Sequence, residues 1–119
     1  MLKKVAVVAF LTPMLLLGSV SGSVALADEA MIAKGKEVAF DRKKGNCLAC
    51  HMIDDGSLPG NQGPPLVAME ARFPDKEKLK AQISNPLAQN PNSIMPPFGL
   101  HNILSEDEID AITEYLLTL

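Results

Sequence analysis

Both cysteines of this 119-residue chain fall inside one pentapeptide, Cys47-Leu48-Ala49-Cys50-His51. No other feature constrains the fold as much. Two thiols three positions apart, followed at once by an imidazole, make the C-x-x-C-H signature of covalent haem attachment. The chemistry sets the spacing. Two thiols add to the two vinyl groups on one edge of the porphyrin, two intervening residues let both sulfurs reach that edge, and the next side chain points at the iron. Other uses of the motif fit less well. A structural zinc site needs four ligands, and His101 is the only further Cys or His. A thioredoxin-like thiol pair belongs in a strand-rich βαβ setting, which the sequence lacks. A plain disulfide leaves His51 without a role.

The start of the chain differs from the rest. Lys3 and Lys4 give a positive head, an apolar run extends from Val5 to Leu17, and Ala25-Leu26-Ala27 precedes Asp28. That is the layout of a secretory signal peptide. The uncharged stretch is long enough to span a bilayer, so a retained anchor is the competing reading. Pro13, Gly18, Gly22 and the A-x-A ending favour cleavage after Ala27. The expected organisation is a signal peptide over 1–27 and one periplasmic domain over 28–119, with no stable membrane insertion after cleavage. A domain of 92 residues has little apolar surface to bury, and a covalent haem offers it a large apolar plate to fold around.

The leader holds two lysines and no acid, so the remainder carries 9 basic and 14 acidic residues, a net charge of −5. Nucleic-acid binding needs a basic surface and is excluded on this ground. The same balance points to partner surfaces that are neutral or basic.

Along the domain the apolar spacing is helical. A first helix is expected from Asp28 to about Lys43, with Ile32, Gly35 and Ala39 on one face and Met31 and Val38 beside them. A glycine inside a helix weakens it, so Gly35 suggests a close helix crossing. Lys44-Gly45-Asn46 ends this segment. Ile53 to Pro65 reads as an irregular loop, and Leu66 to Arg72 as one helical turn. Pro74 suits a first helical position, with Asp75 and Glu77 in the first turn. Leu79 and Ile83 share a face of that short helix, which Asn85-Pro86 closes. Pro86 to Gly99 contains four prolines and reads as a stiff loop. Ser105 and Glu108 form a capping box for the last helix, with Leu104 and Ile109 as its hydrophobic staple. Ile109, Ile112 and Leu116 make its buried stripe, with Tyr115 alongside. The expected fold is all-α, with the terminal helices packed together.

A haem iron has six positions: the porphyrin fills four and His51 a fifth. The sixth decides the function class, because a strong protein ligand there suits electron transfer and an open position suits small-molecule binding. The candidates are Met31, Met52, Met69, Met95 and His101. Met52 adjoins His51 and cannot reach the opposite face. Met31 and Met69 read as core packing. Met95 stands in Ser93-Ile94-Met95-Pro96-Pro97-Phe98-Gly99, where Pro96 biases it toward an extended conformation, so its thioether projects with little entropy to lose. His101, six residues later, is the runner-up. A ligating histidine usually donates its other ring N–H to a carbonyl or carboxylate, and Gly63-Pro64-Pro65-Leu66 offers the Pro64 carbonyl.

Helix, C-x-x-C-H, G-P-x-L loop, methionine loop and closing helix together resemble the class I cytochromes c over essentially the whole domain. The resemblance implies the small cytochrome c fold around one haem c, His51 and Met95 as axial ligands, and Pro64 as the partner of His51. A narrower resemblance is to SoxX. It rests on Gly45-Asn46 before the motif, Pro59-Gly60-Asn61, Gly63-Pro64-Pro65-Leu66, the Asn85-Pro86 and Asn90-Pro91 pairs, and Met95-Pro96-Pro97-Phe98-Gly99. One departure is Phe40, seven residues before Cys47, so the aromatic contact of small cytochromes is not carried over. SoxX is the small cytochrome subunit of SoxAX, which couples thiosulfate oxidatively to a cysteine of the carrier SoxYZ. The resemblance implies a SoxA-like cytochrome partner, a SoxYZ-like carrier, a soluble acceptor cytochrome and a subunit that is not catalytic alone. Two other functions compete: a free-standing periplasmic carrier serving a respiratory chain, and a haem sensor or peroxidase-like enzyme with an open sixth position. The exposed haem edge and the Pro86 to Gly99 loop, including Phe98, are the expected partner contact.

Overall fold

A computed structural model describes residues 21–119, so the expected signal peptide over 1–27 lies largely outside the described residues. Among the described residues four α-helices, α1 (Ser21–Phe40), α2 (Met69–Arg72), α3 (Lys76–Ser84) and α4 (Glu106–Leu116), are joined by irregular segments. The only β-type pairing among the described residues is an isolated parallel bridge between Ile53 and Leu66. The fold is all-α, and α1 and α4 pack together more extensively than any other pair of elements.

The bounds of α1 differ from expectation at both ends. It begins upstream of Asp28, at Ser21, and stops at Phe40 rather than near Lys43. The early stop has a local cause. The Asp41 carboxylate accepts from the Lys43 N–H at 2.8 Å, and the Asp41 carbonyl accepts from Lys44 and Asn46, each at 3.0 Å. A short acidic side chain here competes with the helical ladder for backbone donors. Gly45 then donates back to the Val38 carbonyl at 3.1 Å and closes the turn.

The other helices follow their sequence signals. Asp75 caps α3 by accepting from the Glu77 N–H at 3.1 Å, which leaves Pro74 outside the helix instead of at its first position. Asn85 ends α3, and Pro86 opens a short 3-10 turn, Pro86–Ala88. Ser105 and Glu108 exchange the two bonds of a capping box, at 3.2 and 3.0 Å, and Leu104 and Ile109 are both buried beside it. Ile109, Ile112, Tyr115 and Leu116 are the buried stripe of α4.

Gly35 is where α1 meets α4. A Cβ there would overlap the Ala111 carbonyl and fall 2.8 Å from the Tyr115 Cβ. Only a residue without a side chain lets the two backbones come this close. Val38 and Ala39 are buried in the same seam, whereas Met31 is 43% exposed and is not core as expected. Phe40 meets Tyr115 edge-on, with ring centroids 6.4 Å apart. Lys36 reaches over both rings and bonds Asp54 and Asp55, each at 2.9 Å, so α1, α4 and the loop after the motif share one cation. On the far side of α4, Lys76 pairs with Glu114 at 2.7 Å and Lys80 with Asp110 at 2.6 Å, which ties α3 to α4.

Two outcomes follow for stability. Gly35→Ala should destabilise the fold by roughly 2 kcal/mol, the scale of overpacking against backbone that cannot move aside, read as a lower urea midpoint at unchanged slope. The Lys36 ammonium holds the Asp55 carboxyl below its usual range. A depressed carboxyl stabilises above its unfolded pKa of about 4, and that contribution disappears as pH falls through the folded value. The gap in urea midpoint between the native protein and Lys36→Met should therefore stay level from pH 6 to 8 and close below about pH 4.

Candidate functional site

The motif is wound into a tight turn. Asn46 takes a left-handed backbone, φ 47°, and Cys47–Ala49 follow as one 3-10 turn. His51 donates its backbone N–H to the Cys47 carbonyl at 2.9 Å. The next loop lies along this turn. Gly60 donates to the Leu48 carbonyl at 2.9 Å, Gly63 to Cys50 at 2.8 Å, and Leu66 to Met52 at 2.9 Å. These bonds bring the Pro64 carbonyl to His51. Its distance from Nδ1 is 2.7 Å. A carbonyl only accepts, so Nδ1 carries a proton, and in the neutral ring this tautomer leaves the Nε2 lone pair for a metal.

Gly63 makes this orientation possible. A Cβ on Gly63 would overlap the imidazole itself and stand 2.8 Å from Nε2. Sequence reading pointed to Pro64 and missed Gly63, although it directly precedes the proline pair. Arg72 was also missed: its guanidinium donates to the Pro65 carbonyl at 2.9 Å and contacts the Met69 sulfur at 3.3 Å.

Cys47, Cys50, His51, Pro64 and Met95 all line one cavity of about 700 Å³. Its remaining walls are largely core side chains, among them Leu66, Met69, Leu79, Ile83, Phe98 and Ile112. The two cysteines are not joined to each other. Burial pushes the Cys47 thiol up to about 11, so the free thiol is protonated at neutral pH. Met95 is half-buried, with its backbone N–H bonded to the Ser93 hydroxyl at 3.2 Å. His101 is exposed and does not line the cavity, and neither do Met31 and Met52. Met69 is buried in the wall, as its packing reading implied.

Two expectations about the surface change. Phe98 is only 6% exposed and belongs to the core, so it is not an exposed contact residue; Ile94, at 73%, and Ile103, at 42%, are the exposed large hydrophobic residues at the cavity. Arg42, Lys43, Lys44 and Arg72 also line it. The mouth is locally cationic although the chain is acidic overall. Among the described residues no helix is long and apolar enough to cross a membrane.

The site fits a haem. The volume lies in the range of cofactor cavities, roughly 300–1,000 Å³, the walls are mainly apolar, and thiols, imidazole and thioether line the same space. An all-α fold with packed terminal helices and this site defines a class I c-type cytochrome. Over residues 30–116 the sequence matches the family model described as cytochrome c oxidase, cbb3-type, subunit III, and the chain belongs to that cytochrome c family. Membership implies covalently attached haem c and a role in electron transfer.

An uncharacterized lipoprotein of Aquifex aeolicus (strain VF5) is 41% identical over 75 residues, 62% of this chain and 36% of that protein, so the match spans about a third of that relative's length. In fold the chain resembles SoxX: the crystal structure of SoxXA from P. pantotrophus aligns with a TM-score of 0.65, over 72% of this chain and 79% of that one. At 24% identity this likeness is one of fold.

A methyl group on Gly63 must push the imidazole off the Pro64 carbonyl. Gly63→Ala should give a folded chain that matures poorly, with less haem absorbance per polypeptide than the native protein. Equal haem loading would show that the ring has room to move.

Proposed function

We propose that the chain carries a single haem c, joined by thioether bonds to Cys47 and Cys50 and ligated axially by His51 and Met95, and that it acts as the electron-transfer subunit of a thiosulfate-oxidising complex. The observation that carries the ligand set is the His51 Nδ1–Pro64 bond at 2.7 Å on a cavity that Met95 also lines. Haem c, when bound there, supplies a reversible one-electron couple. The residues around it divide the remaining work. Pro64 fixes the tautomer and angle of the imidazole. The proline-stiffened loop presents the Met95 sulfur. The apolar walls keep water off the metal and favour the less charged, reduced state.

The SoxX-like motifs and the likeness to SoxXA support the assignment to a sulfur-oxidising complex. The chemistry divides in the same way. Coupling thiosulfate to a carrier thiol forms one S–S bond and releases two electrons and the thiol proton. A chain with one haem stores one electron at a time, and both of its thiols are spent on attachment. Bond formation therefore belongs to a larger SoxA-like cytochrome acting on a SoxYZ-like carrier, while this subunit receives electrons and passes them to a soluble acceptor cytochrome. Ile94 and Ile103, exposed on the cavity that Arg42 and Lys43 also line, are the surface it would offer. The leader would direct the chain to the periplasm and be removed after Ala27. The description of the Aquifex relative as a lipoprotein is in keeping with export.

Purification from the native periplasm should recover a second haem protein with this one, and thiosulfate should reduce the haem in the presence of the carrier. A lone monomer, with thiosulfate use unaffected by deletion, would overturn the assignment. It would favour a free-standing respiratory carrier, a reading supported by a family description that names an oxidase subunit. For the ligands, Met95→Ala should stay folded, show a lower reduction potential and bind carbon monoxide when reduced. An unchanged visible spectrum in the oxidised state would refute Met95 as a ligand. Cys50→Ala should retain haem poorly.

A further inference from the structure

One polar side chain on the cavity wall has no part in the account above. Helix α3 turns Leu79, Gln82 and Ile83 toward the cavity, at the spacing of one helical face. Leu79 and Ile83 are buried apolar residues that anchor this wall, 2% and 4% exposed. Gln82 stands between them, half-buried. Its carboxamide Nε2 lies 4.0 Å from the Met95 sulfur, the one partner it has among the side-chain hydrogen bonds of the described residues. An amide on an apolar wall is costly unless it finds an acceptor, and thioether sulfur is a weak one. The other end of the contact is held too, since the Ser93 hydroxyl pins the Met95 backbone.

We propose that Gln82 is a positioning residue of the Met95 site: its N–H bonds the thioether sulfur, holds it in place and favours the reduced state of the metal it ligates. This rests on the reading of Met95 as the sixth ligand. A thioether has two lone pairs. Ligation uses one, and the other remains to accept a proton donor. A donor there draws electron density from sulfur and makes it less electron-releasing toward the metal, which favours the reduced state further. Hydrogen bonding to a ligand is one of the ways a protein sets a haem potential.

The test uses the haem-loaded protein and two readouts, the reduction potential and the sulfur-to-iron charge-transfer band of the oxidised state. Gln82→Leu removes the donor and keeps the apolar wall. It should shift the one-electron equilibrium roughly threefold to tenfold toward the oxidised form, tenfold corresponding to about 59 mV, and should displace the band. Gln82→Asn keeps an amide but withdraws it from reach, and should move both readouts in the same direction if Gln82→Leu yields no holoprotein. In a Met95→Ala background, Gln82→Leu should lose most of its effect on potential, because its effect runs through the sulfur. Unchanged potential and band in both Gln82 variants would overturn the proposal while leaving Met95 as ligand. The same shift with and without Met95 would overturn it as well, by showing that the amide acts on the haem directly. Persistence of the band in Met95→Ala alone would instead remove the ligand reading on which the proposal stands.

Discussion

The close crossing of α1 over α4 at Gly35 sets the frame for everything else. Backbone meets side chain there with no Cβ between them, so the two helices sit nearer than side chains on both would allow. Two consequences follow from that distance. The opposite flank of α4 brings Ile112 and Leu116 to the cavity wall. The C-terminal end of α1 delivers the chain to Gly45, tucked under the Val38 carbonyl, and from there into the attachment motif. A wider crossing would move the wall away from the motif that faces it. Most of the core lies along this cavity, so packing and cofactor binding draw on the same side chains, as expected in a domain too small to build two separate cores.

Backbone geometry, more than side-chain chemistry, orients the histidine. Three amide bonds run between the 60–66 segment and the 48–52 segment, and the Pro64 carbonyl is carried along with them. Two glycines permit the approach, Gly60 against the Ala49 carbonyl and Gly63 against the imidazole ring. Proline contributes differently, by restricting the backbone so that the acceptor does not wander. The result is a fixed ring orientation with Nδ1–H on a carbonyl, obtained without burying a carboxylate beside the ring. A carboxylate there would add negative charge and favour the oxidised state, whereas a carbonyl orients the ring and leaves the charge of the site unchanged.

Much of this was legible from local patterns. The motif, the capping box at Ser105, the Leu79 and Ile83 face, the proline-rich methionine loop and the meaning of Gly35 all lie within a few residues of one another in sequence, where spacing carries geometry. What escaped depends on contacts distant in sequence or on competition within a turn. The Asp41 carboxylate takes backbone donors and stops α1 early, which periodicity does not register. Met31 lies at the margin of the apolar face, and only the position of α4 decides that it is exposed. Phe98 looked like a surface aromatic in a loop, yet the chain folds it under Leu104 and Ile103, whose N–H groups both bond its carbonyl. The Phe40–Tyr115 contact joins residues from opposite ends of the domain, so a departure from the usual aromatic position said nothing about whether a contact would form.

Charge is unevenly distributed over the molecule. Net charge of −5 over residues 28–119 suggested neutral or basic partners, while the cavity is lined by Arg42, Lys43, Lys44 and Arg72 and by no carboxylate. Glu106, Asp107 and Glu108 occupy the first turn of α4, where negative charge meets the helix dipole favourably. Glu106, Glu108, Asp110 and Glu114 are further engaged by Lys80, Lys44 and Lys76. Arg42 and Lys43, in contrast, are exposed beside the cavity and make no ion pair among the described residues. At physiological salt, charges more than about 8 Å apart are largely screened, so an approaching protein responds to the side chains at the mouth more than to the sum over the molecule. Those side chains are cationic, and exposed Ile94 and Ile103 line the same cavity.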